Sequence, residues 1–304
     1  MNSLAYSLRT PQQNFRIVYS IWSMNYTFKL YDGVATLLLF QVQADNSKSI
    51  RSSMMKKPFS DSFPIIYISQ PVEWGRPSMI DAERRLLANA LLDVSNERFV
   101  LLSETCIPIF NFTTVYNYLV NAKESFIGSY DDPRKVGRGR YNPKMLPAIT
   151  ISDWRKGSQW FEVHRKLAVE IISDTKYYRI FSEYCSPPCY MDEHYIPTLV
   201  NIRCPEQNSN RSITWVDWSK AGPHPGRFVK QDISDEFLDR IRFGENCTYN
   251  GNASSLCFLF ARKFLPGTLQ PFLQLAPTLL HWRLLYDYGI DENDFNLSFE
   301  SFVK

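Results

Sequence analysis

The sequence has no apolar segment long enough to cross a membrane. Its longest largely apolar run, at positions 34–40, falls far short of the roughly 20 residues that a spanning helix needs. Residues 1–13 also lack the apolar stretch of a secretory signal peptide. We therefore expect neither a membrane anchor nor a leader peptide in the sequence as given.

An excess of charge is also missing. The 34 Lys and Arg residues nearly balance 31 Asp and Glu residues, for a net charge of +3. Without a basic cluster, so small an excess argues against nucleic-acid binding. The apolar content of 44% and the charged content of 21% are typical of a globular protein and exclude general disorder. A chain of 304 residues forms one large domain or two small ones.

Motifs of several enzyme classes are absent as well. The four histidines show no HExxH or HxxH spacing, which argues against a zinc hydrolase. No GxSxG, P-loop or GxGxxG pattern occurs, so nothing supports a serine or cysteine nucleophile or a phosphate-binding loop of those types. No Asp-x-Asp pair occurs either, since Asp131 and Asp132 are adjacent.

Cysteines and glycosylation signals point to an oxidising, lumenal compartment. The six cysteines include two local pairs, Cys185 with Cys189 and Cys247 with Cys257. Paired cysteines are typical of secreted and lumenal proteins, and the first spacing fits neither a zinc nor a redox motif. Asn-x-Ser/Thr sequences occur at Asn25, Asn111, Asn210, Asn246, Asn252 and Asn296, and of these we expect Asn111, Asn210 and Asn246 to carry glycans.

The clearest fold-class pattern begins near Ser78. Positions 81–93 have apolar residues on one face and charged residues opposite, which predicts an amphipathic helix with Ser78 as its N-cap. The short apolar run at 99–102 favours a buried parallel strand. A helix near 115–119 and a strand at 125–130 follow, so the alternation predicts a right-handed βαβ unit and an α/β fold.

The segment with the most reactive side chains is CSPPCYMDEHY, residues 185–195. Two cysteines flank two prolines, which makes a rigid turn whose cross-linking the sequence leaves open. Asp192, Glu193 and His194 follow at a predicted helix start. A carboxylate there is either a simple capping acid, favoured by the helix dipole, or a general base held on a rigid corner. Residues 131–146, rich in Gly, Pro and charge, predict a solvated connection instead.

A second candidate lies at the end of an apolar strand predicted at 256–260. Arg262 and Lys263 follow it directly. Two cations beyond the carboxyl end of a buried strand suit a phosphate or diphosphate. The alternative, and the commoner case, is an ordinary solvated strand end.

Aromatic residues are abundant, at 15% of the chain, and tryptophans concentrate in 154–165 and 215–218. The first of these stretches contains Gly157 followed by Ser158, and a missing Cβ lets the backbone approach a ligand closely. Trp160 and Trp215 are the candidates to stack on a sugar. The alternative for each is a core or strand-edge aromatic, which composition alone favours.

Taken together, these segments resemble one family. The resemblance is to the plant, brittle-culm-like branch of the core-2/I-branching β-1,6-N-acetylglucosaminyltransferases, within glycosyltransferase family 14. It is carried by AERRLLANALLD, RFVLLSETCIPIFNFTTVYNYL, GSYDDP, GRGRYNPKMLPAITISDWRKGSQWFEVHRKLA, CSPPCYMDEHY, RSITWVDWS and CFLFARKF. The similarity runs from about residue 62 to about residue 278, and several ordered motifs make it specific.

The resemblance implies a GT-A-like α/β fold, in which helices flank a mixed sheet. It implies an inverting transfer of N-acetylglucosamine or glucuronic acid from a UDP-sugar to a glycan or glycoprotein acceptor, for example one of the plant cell wall. It implies a lumenal domain at the Golgi membrane, attached in full-length relatives by a signal anchor. The family needs no metal, and the missing Asp-x-Asp agrees, so we expect no cofactor.

Position by position, the resemblance assigns roles to individual residues. Glu193 matches the catalytic carboxylate, and Lys263 matches the lysine that contacts the diphosphate. Arg262 is expected to assist, because Ser254 stands where animal members of the family have an arginine. The family's short disulfide matches the pair Cys247 and Cys257. The residues expected at the acceptor site are Trp215, Asp217, Trp160 and Ser158.

One departure from the family concerns the N-terminal region. The first strand and loop, which hold uracil and ribose in relatives, are replaced before residue 62 by unrelated sequence. We therefore expect an atypical segment at 1–61, a glycosyltransferase domain at 62–280 with its N-terminal part incomplete, and a C-terminal tail at 281–304. The alternative function is that of a catalytically impaired homologue which binds glycans or acts as a scaffold.

Overall fold

The structure is a computed structural model that describes residues 72–103, 105–220, 222 and 224–279, together with the backbone of three strands before them. The chain divides into two compact units. The first unit comprises residues 1–104 and 122–212, and the second comprises 105–121 and 213–304. The segment 281–304 and the boundaries predicted at 61 and 280 lie outside the described residues.

The described residues form a mixed α/β structure, as the sequence predicts. The strands are β1 (Lys29–Leu30), β2 (Gly33–Val34), β3 (Leu37–Gln43), β4 (Asn96–Ser103), β5 (Ile107–Pro108), β6 (Glu162–His164), β7 (Thr214–Val216), β8 (Cys247–Tyr249), β9 (Asn252–Ser254) and β10 (Phe260–Arg262). The helices are α1 (Pro77–Leu91), α2 (Phe112–Asn121), α3 (Arg165–Ser173), α4 (Lys176–Tyr184), α5 (Met191–Arg203), α6 (Asp235–Phe243) and α7 (Leu269–Leu279). None of the helices described is long and apolar enough to span a bilayer.

Strand β4 is the centre of a three-stranded sheet in the first unit, with the order β3-β4-β6. It pairs antiparallel with both neighbours, so the parallel direction predicted for 99–102 is wrong. Phe99, Val100 and Leu101 are fully buried. A continuous apolar run indicates only that both faces of a strand are buried. A buried antiparallel strand shows the same run as a parallel one, so the run does not predict the strand direction. The strand predicted at 125–130 is reduced to isolated bridges.

Helix α1 confirms the amphipathic pattern but starts differently from the prediction. Ile80 and Leu87 of its apolar face are fully buried against the sheet and the neighbouring helices α3 and α5. The helix begins at Pro77, whose fixed φ and missing N–H suit a first helical position. Ser78 is therefore not the N-cap, and its hydroxyl accepts a hydrogen bond from the Glu73 N–H at 3.0 Å.

The second unit contains a mixed sheet with the order β5-β10-β7. Strand β10 is antiparallel to β5 and parallel to β7, with Phe260 opposite Thr214 and Arg262 opposite Val216. Helix α6 is capped by Ser234, whose Oγ accepts from the backbone N–H of Phe237 at 3.2 Å. Strands β8 and β9 form a hairpin.

Candidate active site

The candidate site lies at the start of α5, where a disulfide fixes the preceding turn. Cys185 follows the last residue of α4 and is bonded to Cys189, and both cysteines are buried. Tyr190 comes next with a φ of 58°, and the Met191 N–H donates to the carbonyl oxygen of Gly75 at 3.1 Å. These constraints set the direction in which α5 leaves the turn.

Glu193 occupies the first turn of α5 and is held by two cations. Lys156 Nζ lies 2.6 Å from its Oε2 atom, and Arg140 Nη1 lies 2.5 Å from the same oxygen. Among the described residues no hydrogen bond reaches Oε1, and the side chain is 22% exposed. One carboxylate oxygen is thus anchored while the other is available to a ligand.

The charge of Glu193 follows from this pairing. Burial raises the pKa of its carboxyl, but the charges of Lys156 and Arg140 and the hydrogen bond from Lys156 outweigh burial and bring the pKa below its ordinary value. The helix N-terminus acts in the same direction, since the helix dipole favours a negative charge there. The side chain is therefore an ionised proton acceptor at neutral pH.

Lys156 is placed by a short loop that packs against α5. Its backbone exchanges two hydrogen bonds with that of Tyr130, at 2.7 and 2.9 Å. The next N–H, of Gly157, donates to the carbonyl oxygen of Glu193 at 2.8 Å. The lysine and the carboxylate are therefore fixed to each other through both side chain and backbone.

Gly157 is needed for this packing. A Cβ built at this position would lie 2.0 Å from the carbonyl oxygen of Gly128 and 2.7 Å from the ring of Pro197. The missing side chain thus serves the close approach of two backbone segments, rather than the approach of a ligand that the sequence suggests.

Arg140 comes from the charged loop that the sequence predicts to be a solvated connection. Within this loop, Asp131 pairs with Arg138 at 2.6 Å and Asp132 pairs with Arg134 at 2.8 Å. Arg140 instead reaches Glu193, and its guanidinium lies 4.3 Å from the centre of the Tyr190 ring. Part of the predicted connection is therefore a wall of the site.

Sequence reasoning missed both cations. Lys156 and Arg140 lie 37 and 53 positions from Glu193, and no spacing rule links residues so far apart. The only signal was composition, because five cations face two acids in residues 131–146. Such an excess of cations needs a partner elsewhere in the fold.

Asp192 lies beside Glu193 but is directed into the interior. It is 2% exposed, and no donor among the described residues reaches its carboxyl oxygens with good hydrogen-bond geometry, although the Trp74 indole lies close enough to favour the charge. Burial raises its pKa to about 7, and the charge of Glu193 adds to this rise, while Lys156 and the Trp74 indole act against it. Asp192 thus differs from its neighbour in burial and in the direction of its pKa shift.

His194 is a core residue. Its ring is fully buried and stacks on Trp154 with centroids 4.6 Å apart. Nδ1 lies 3.0 Å from the carbonyl oxygen of Tyr190, which assigns the proton to this nitrogen. Burial lowers the pKa of the imidazole to about 4, so the ring is neutral and stabilises the start of α5 by packing.

Two residues predicted at the acceptor site also lie in the first unit. Trp160 is 7% exposed and belongs to the hydrophobic core. Ser158 is half-buried, and its Oγ accepts from the Trp160 N–H at 3.2 Å. Most of the Trp160 ring is therefore used for packing, and acceptor contact by either residue stays a prediction.

The other predicted residues meet at one edge of the mixed sheet in the second unit. Trp215 in β7 lies opposite Ala261 in β10, and the parallel strands bring Asp217 and the pair Arg262 and Lys263 to the same end. All four predicted residues are half-buried. The carbonyl oxygen of Lys263 accepts from the Phe228 N–H at 2.9 Å, which fixes the backbone beyond β10.

Four cysteines form two disulfides, and the three asparagines expected to carry glycans differ in exposure. Cys247 and Cys257 are joined, as the resemblance implies, and Cys185 and Cys189 form a second disulfide. Asn210 and Asn246 are exposed, whereas Asn111 caps α2 by accepting from the Thr114 N–H at 2.8 Å. Glycosylation of the three remains a prediction.

No metal cluster is formed by the side chains that the structure describes. Within that part of the chain, no group of three or more His, Cys, Asp or Glu residues is placed to hold a metal ion. Metal independence remains a prediction that rests on the resemblance.

Comparison with known proteins gives two matches. Residues 37–242 match the family model described as Core-2/I-Branching enzyme. The chain is also 35% identical over 250 residues to a protein of Oryza sativa subsp. japonica named Glycosyltransferase BC10. That match covers 68% of this chain and 62% of the rice protein, so the chain spans less than two thirds of the length of that relative.

The range matched by the family model includes Glu193 with its two cations, and it ends before Arg262 and Lys263. It begins at β3, inside the segment expected to be atypical. The family inferred from the sequence motifs is confirmed by both matches, and the chain belongs to the core-2/I-branching enzyme family of glycosyltransferases.

Proposed function

We propose that this chain catalyses an inverting transfer of a sugar from UDP to a glycan acceptor, with Glu193 as the general base. The observation that supports this role is an ionised carboxylate with Oε2 fixed by Lys156 and Arg140 and Oε1 open. A general base must be fixed within hydrogen-bond reach of the proton that it removes. At the start of α5 the carboxylate is held in place through Oε2, and its open Oε1 leaves room for an acceptor hydroxyl within hydrogen-bond reach.

In this reaction the acceptor hydroxyl oxygen attacks the anomeric carbon from the face opposite UDP. Its proton passes to Glu193, while the bond between the anomeric carbon and the phosphate oxygen breaks and UDP leaves with the electron pair. A carboxylate with a lowered pKa is a weak base. The proton therefore moves late, when the new bond has made the hydroxyl acidic.

The leaving diphosphate needs positive charge, which this family supplies without a metal. We assign this role to Lys263, assisted by Arg262, from the resemblance alone. Arg262 ends strand β10 and Lys263 follows it. The proposed acceptor residues Trp215 and Asp217 lie at the same end of this sheet. Fixed cations at developing negative charge lower the barrier because they need no reorganisation during the reaction.

The donor, the acceptor and the location are proposed at the level that the resemblance supports. The donor is UDP-N-acetylglucosamine or UDP-glucuronic acid, and the acceptor is a cell-wall glycan or a glycoprotein. The catalytic domain has a GT-A-like fold and works in the Golgi lumen. Two disulfides and two exposed glycosylation sequences support an oxidising, lumenal compartment.

The test compares Glu193→Gln with Glu97→Gln, an exposed acid of β4 in the same unit. Transfer is measured with both UDP-sugars, and UDP binding is measured by calorimetry. We expect Glu193→Gln to lose transfer by about 10²–10⁴-fold, the usual contribution of a general base, with UDP affinity unchanged. Unchanged transfer in that variant would refute the base. A folded wild-type protein that binds no UDP would favour the alternative of a glycan-binding or scaffold protein.

A further inference from the structure

Two buried carboxyl groups lie in the interior near the start of α5, Asp192 beside the candidate base in sequence and Glu83 close to Asp192. Asp192 is 2% exposed and Glu83, on α1, is 1% exposed. The Glu83 Oε1 atom accepts from Gln159 Nε2 at 2.8 Å, but its Oε2 atom has no partner among the described residues. With both oxygens of Asp192, which have the Trp74 indole nearby, three buried carboxyl oxygens of this pair thus lack a donor with good hydrogen-bond geometry within the described structure.

Two ionised carboxylates in this place would be strongly unfavourable. An unpaired buried charge costs several kcal/mol or more, and a protein avoids that cost by keeping the group neutral. Lys156 and Arg140, the cations of this site, both direct their contacts to Glu193. The Gln159 amide donates a hydrogen bond to Glu83, and a neutral carboxylic acid accepts such a bond as well as a carboxylate does.

The charges that face Asp192 come from three elements. Glu193 on its own helix repels a charge there, as does Glu83 on α1. Lys156 in the loop before β6 and the Trp74 indole favour the charge, and Arg140 acts on the neighbouring Glu193. Burial is the largest contribution for both Asp192 and Glu83, and it raises the pKa of each.

From this geometry we propose that Asp192 is a positioning residue, held uncharged by burial together with Glu83, which keeps Glu193 the single ionised carboxylate at the start of α5. The part of this proposal that concerns the base rests on the proposed function. An ionised Asp192 would compete with Glu193 for Lys156 and Arg140 and would draw them from Oε2. A neutral Asp192 leaves both cations on the base and preserves its orientation.

The first experiment needs no substrate. Infrared difference spectra at pH 6 compare the wild type with Asp192→Asn, and we expect the wild type to show an additional carbonyl band of a protonated carboxylic acid. An additional carboxylate band in its place would overturn the proposal. Asp239→Asn, which removes an exposed acid of α6, is the matched control and should remove only a carboxylate band.

Unfolding as a function of pH gives a second substrate-free readout. Between the ordinary pKa of an aspartate and about 7, the native state keeps a proton on Asp192 that the unfolded state has lost. Stability therefore falls as the pH rises through this window. We expect the drop in Tm between pH 5 and pH 8 to be smaller in Asp192→Asn and in Glu83→Gln than in the wild type. An equal drop in all three would contradict the inference.

Kinetics then connects the pair to the base. We expect Asp192→Asn to keep kcat within about threefold of the wild type, while Asp192→Ala loses at least tenfold, because only Asn retains a neutral group of the same shape. The wild-type rate should fall as the pH rises through about 7, where Asp192 ionises, and this fall should be missing in Asp192→Asn. Equal losses in Asn and Ala variants would refute the positioning role. If Glu193→Gln remains active while the infrared and stability results hold, the proposed base fails but the neutral pair stands.

Discussion

The ammonium group of Lys156 lies 2.6 Å from Oε2 of Glu193, the oxygen that Arg140 also contacts. The same loop is tied to the helix by the backbone, because the Gly157 N–H donates to the carbonyl oxygen of Glu193. A carboxylate at a helix start needs no such support if it serves only as a cap. Two cations on one oxygen therefore favour the interpretation of Glu193 as a base over that of a simple capping acid.

Removing Lys156 is expected to shift the titration of Glu193 to higher pH, so that less of it is ionised under acidic conditions. In Lys156→Gln the pKa of Glu193 rises, because an opposite charge and a hydrogen bond are lost. The carboxylate is then protonated over more of the acidic range, so the acid limb of the kcat profile moves to higher pH. We expect kcat at acidic pH to fall about tenfold, equivalent to about 1.4 kcal/mol. The pH profile of transfer checks this.

Two controls sharpen that measurement. Lys156→Arg retains the charge and should restore much of the wild-type profile. Lys166→Gln removes an exposed lysine of α3 and should leave the profile unchanged. An acid limb that stays in place in Lys156→Gln would show that the ion pair does not tune Glu193.

Lys263→Met tests the proposed diphosphate site. Loss of a cation from a diphosphate contact is expected to weaken UDP binding by about 10- to 150-fold, since a charged hydrogen bond contributes about 1.5–3 kcal/mol. Calorimetry with UDP measures the effect without an acceptor. Lys230→Met, at an exposed lysine of the same unit, should bind UDP as the wild type does. Equal affinity in both variants would remove Lys263 from the site.

Gly157→Ala tests the packing of the loop on α5. The added Cβ would meet the carbonyl oxygen of Gly128 at 2.0 Å, so one backbone segment must move. Overpacking of this kind costs about 1–3 kcal/mol, which thermal unfolding measures. Gly267→Ala is the control, because its Cβ would meet no atom within 4 Å. Wild-type Tm and activity in Gly157→Ala would show that the close approach is not required.

Arg98→Met tests a buried ion pair in the first unit. Arg98 lies 3.3 Å from Glu162 and also donates to the backbone carbonyl oxygens of Ala122 and Glu124. Its removal leaves a buried acid and two carbonyl groups without a donor, at a cost of about 3–5 kcal/mol. Chemical denaturation measures the change in the free energy of unfolding.

The pH dependence of that variant has a defined sign. Burial already raises the pKa of Glu162 to about 7 against the opposing effect of Arg98. Without Arg98 the pKa rises further, so the variant loses more stability than the wild type as the pH increases from 5 to 8. Arg98→Met/Glu162→Gln removes the titrating group and should abolish this extra loss. If the stability of Arg98→Met and that of the wild type fall equally between pH 5 and pH 8, the pairing of Arg98 with Glu162 is contradicted.

Local patterns predicted those elements whose cause is local. The amphipathic repeat at positions 81–93 predicted α1, because the repeat follows directly from which face of the helix is buried. The direction of β4 was not predictable, because the side chains of a fully buried strand do not record which way its neighbours run. The start of α1 was misplaced for a related reason, since Pro77 and Ser78 both suit an N-terminus and only the chain path decides between them.

The sequence by itself determined the family and predicted Glu193 as the candidate base, because ordered motifs and the Cys-Ser-Pro-Pro-Cys turn are properties of neighbouring residues. Only the tertiary structure decided how Glu193 is held. Lys156 and Arg140 reach it from loops 37 and 53 positions away, and Glu83 lies near Asp192 from another helix. Burial and charge depend on such distant neighbours, so the opposite pKa shifts of Glu193 and Asp192, which are adjacent in sequence, arise in the fold.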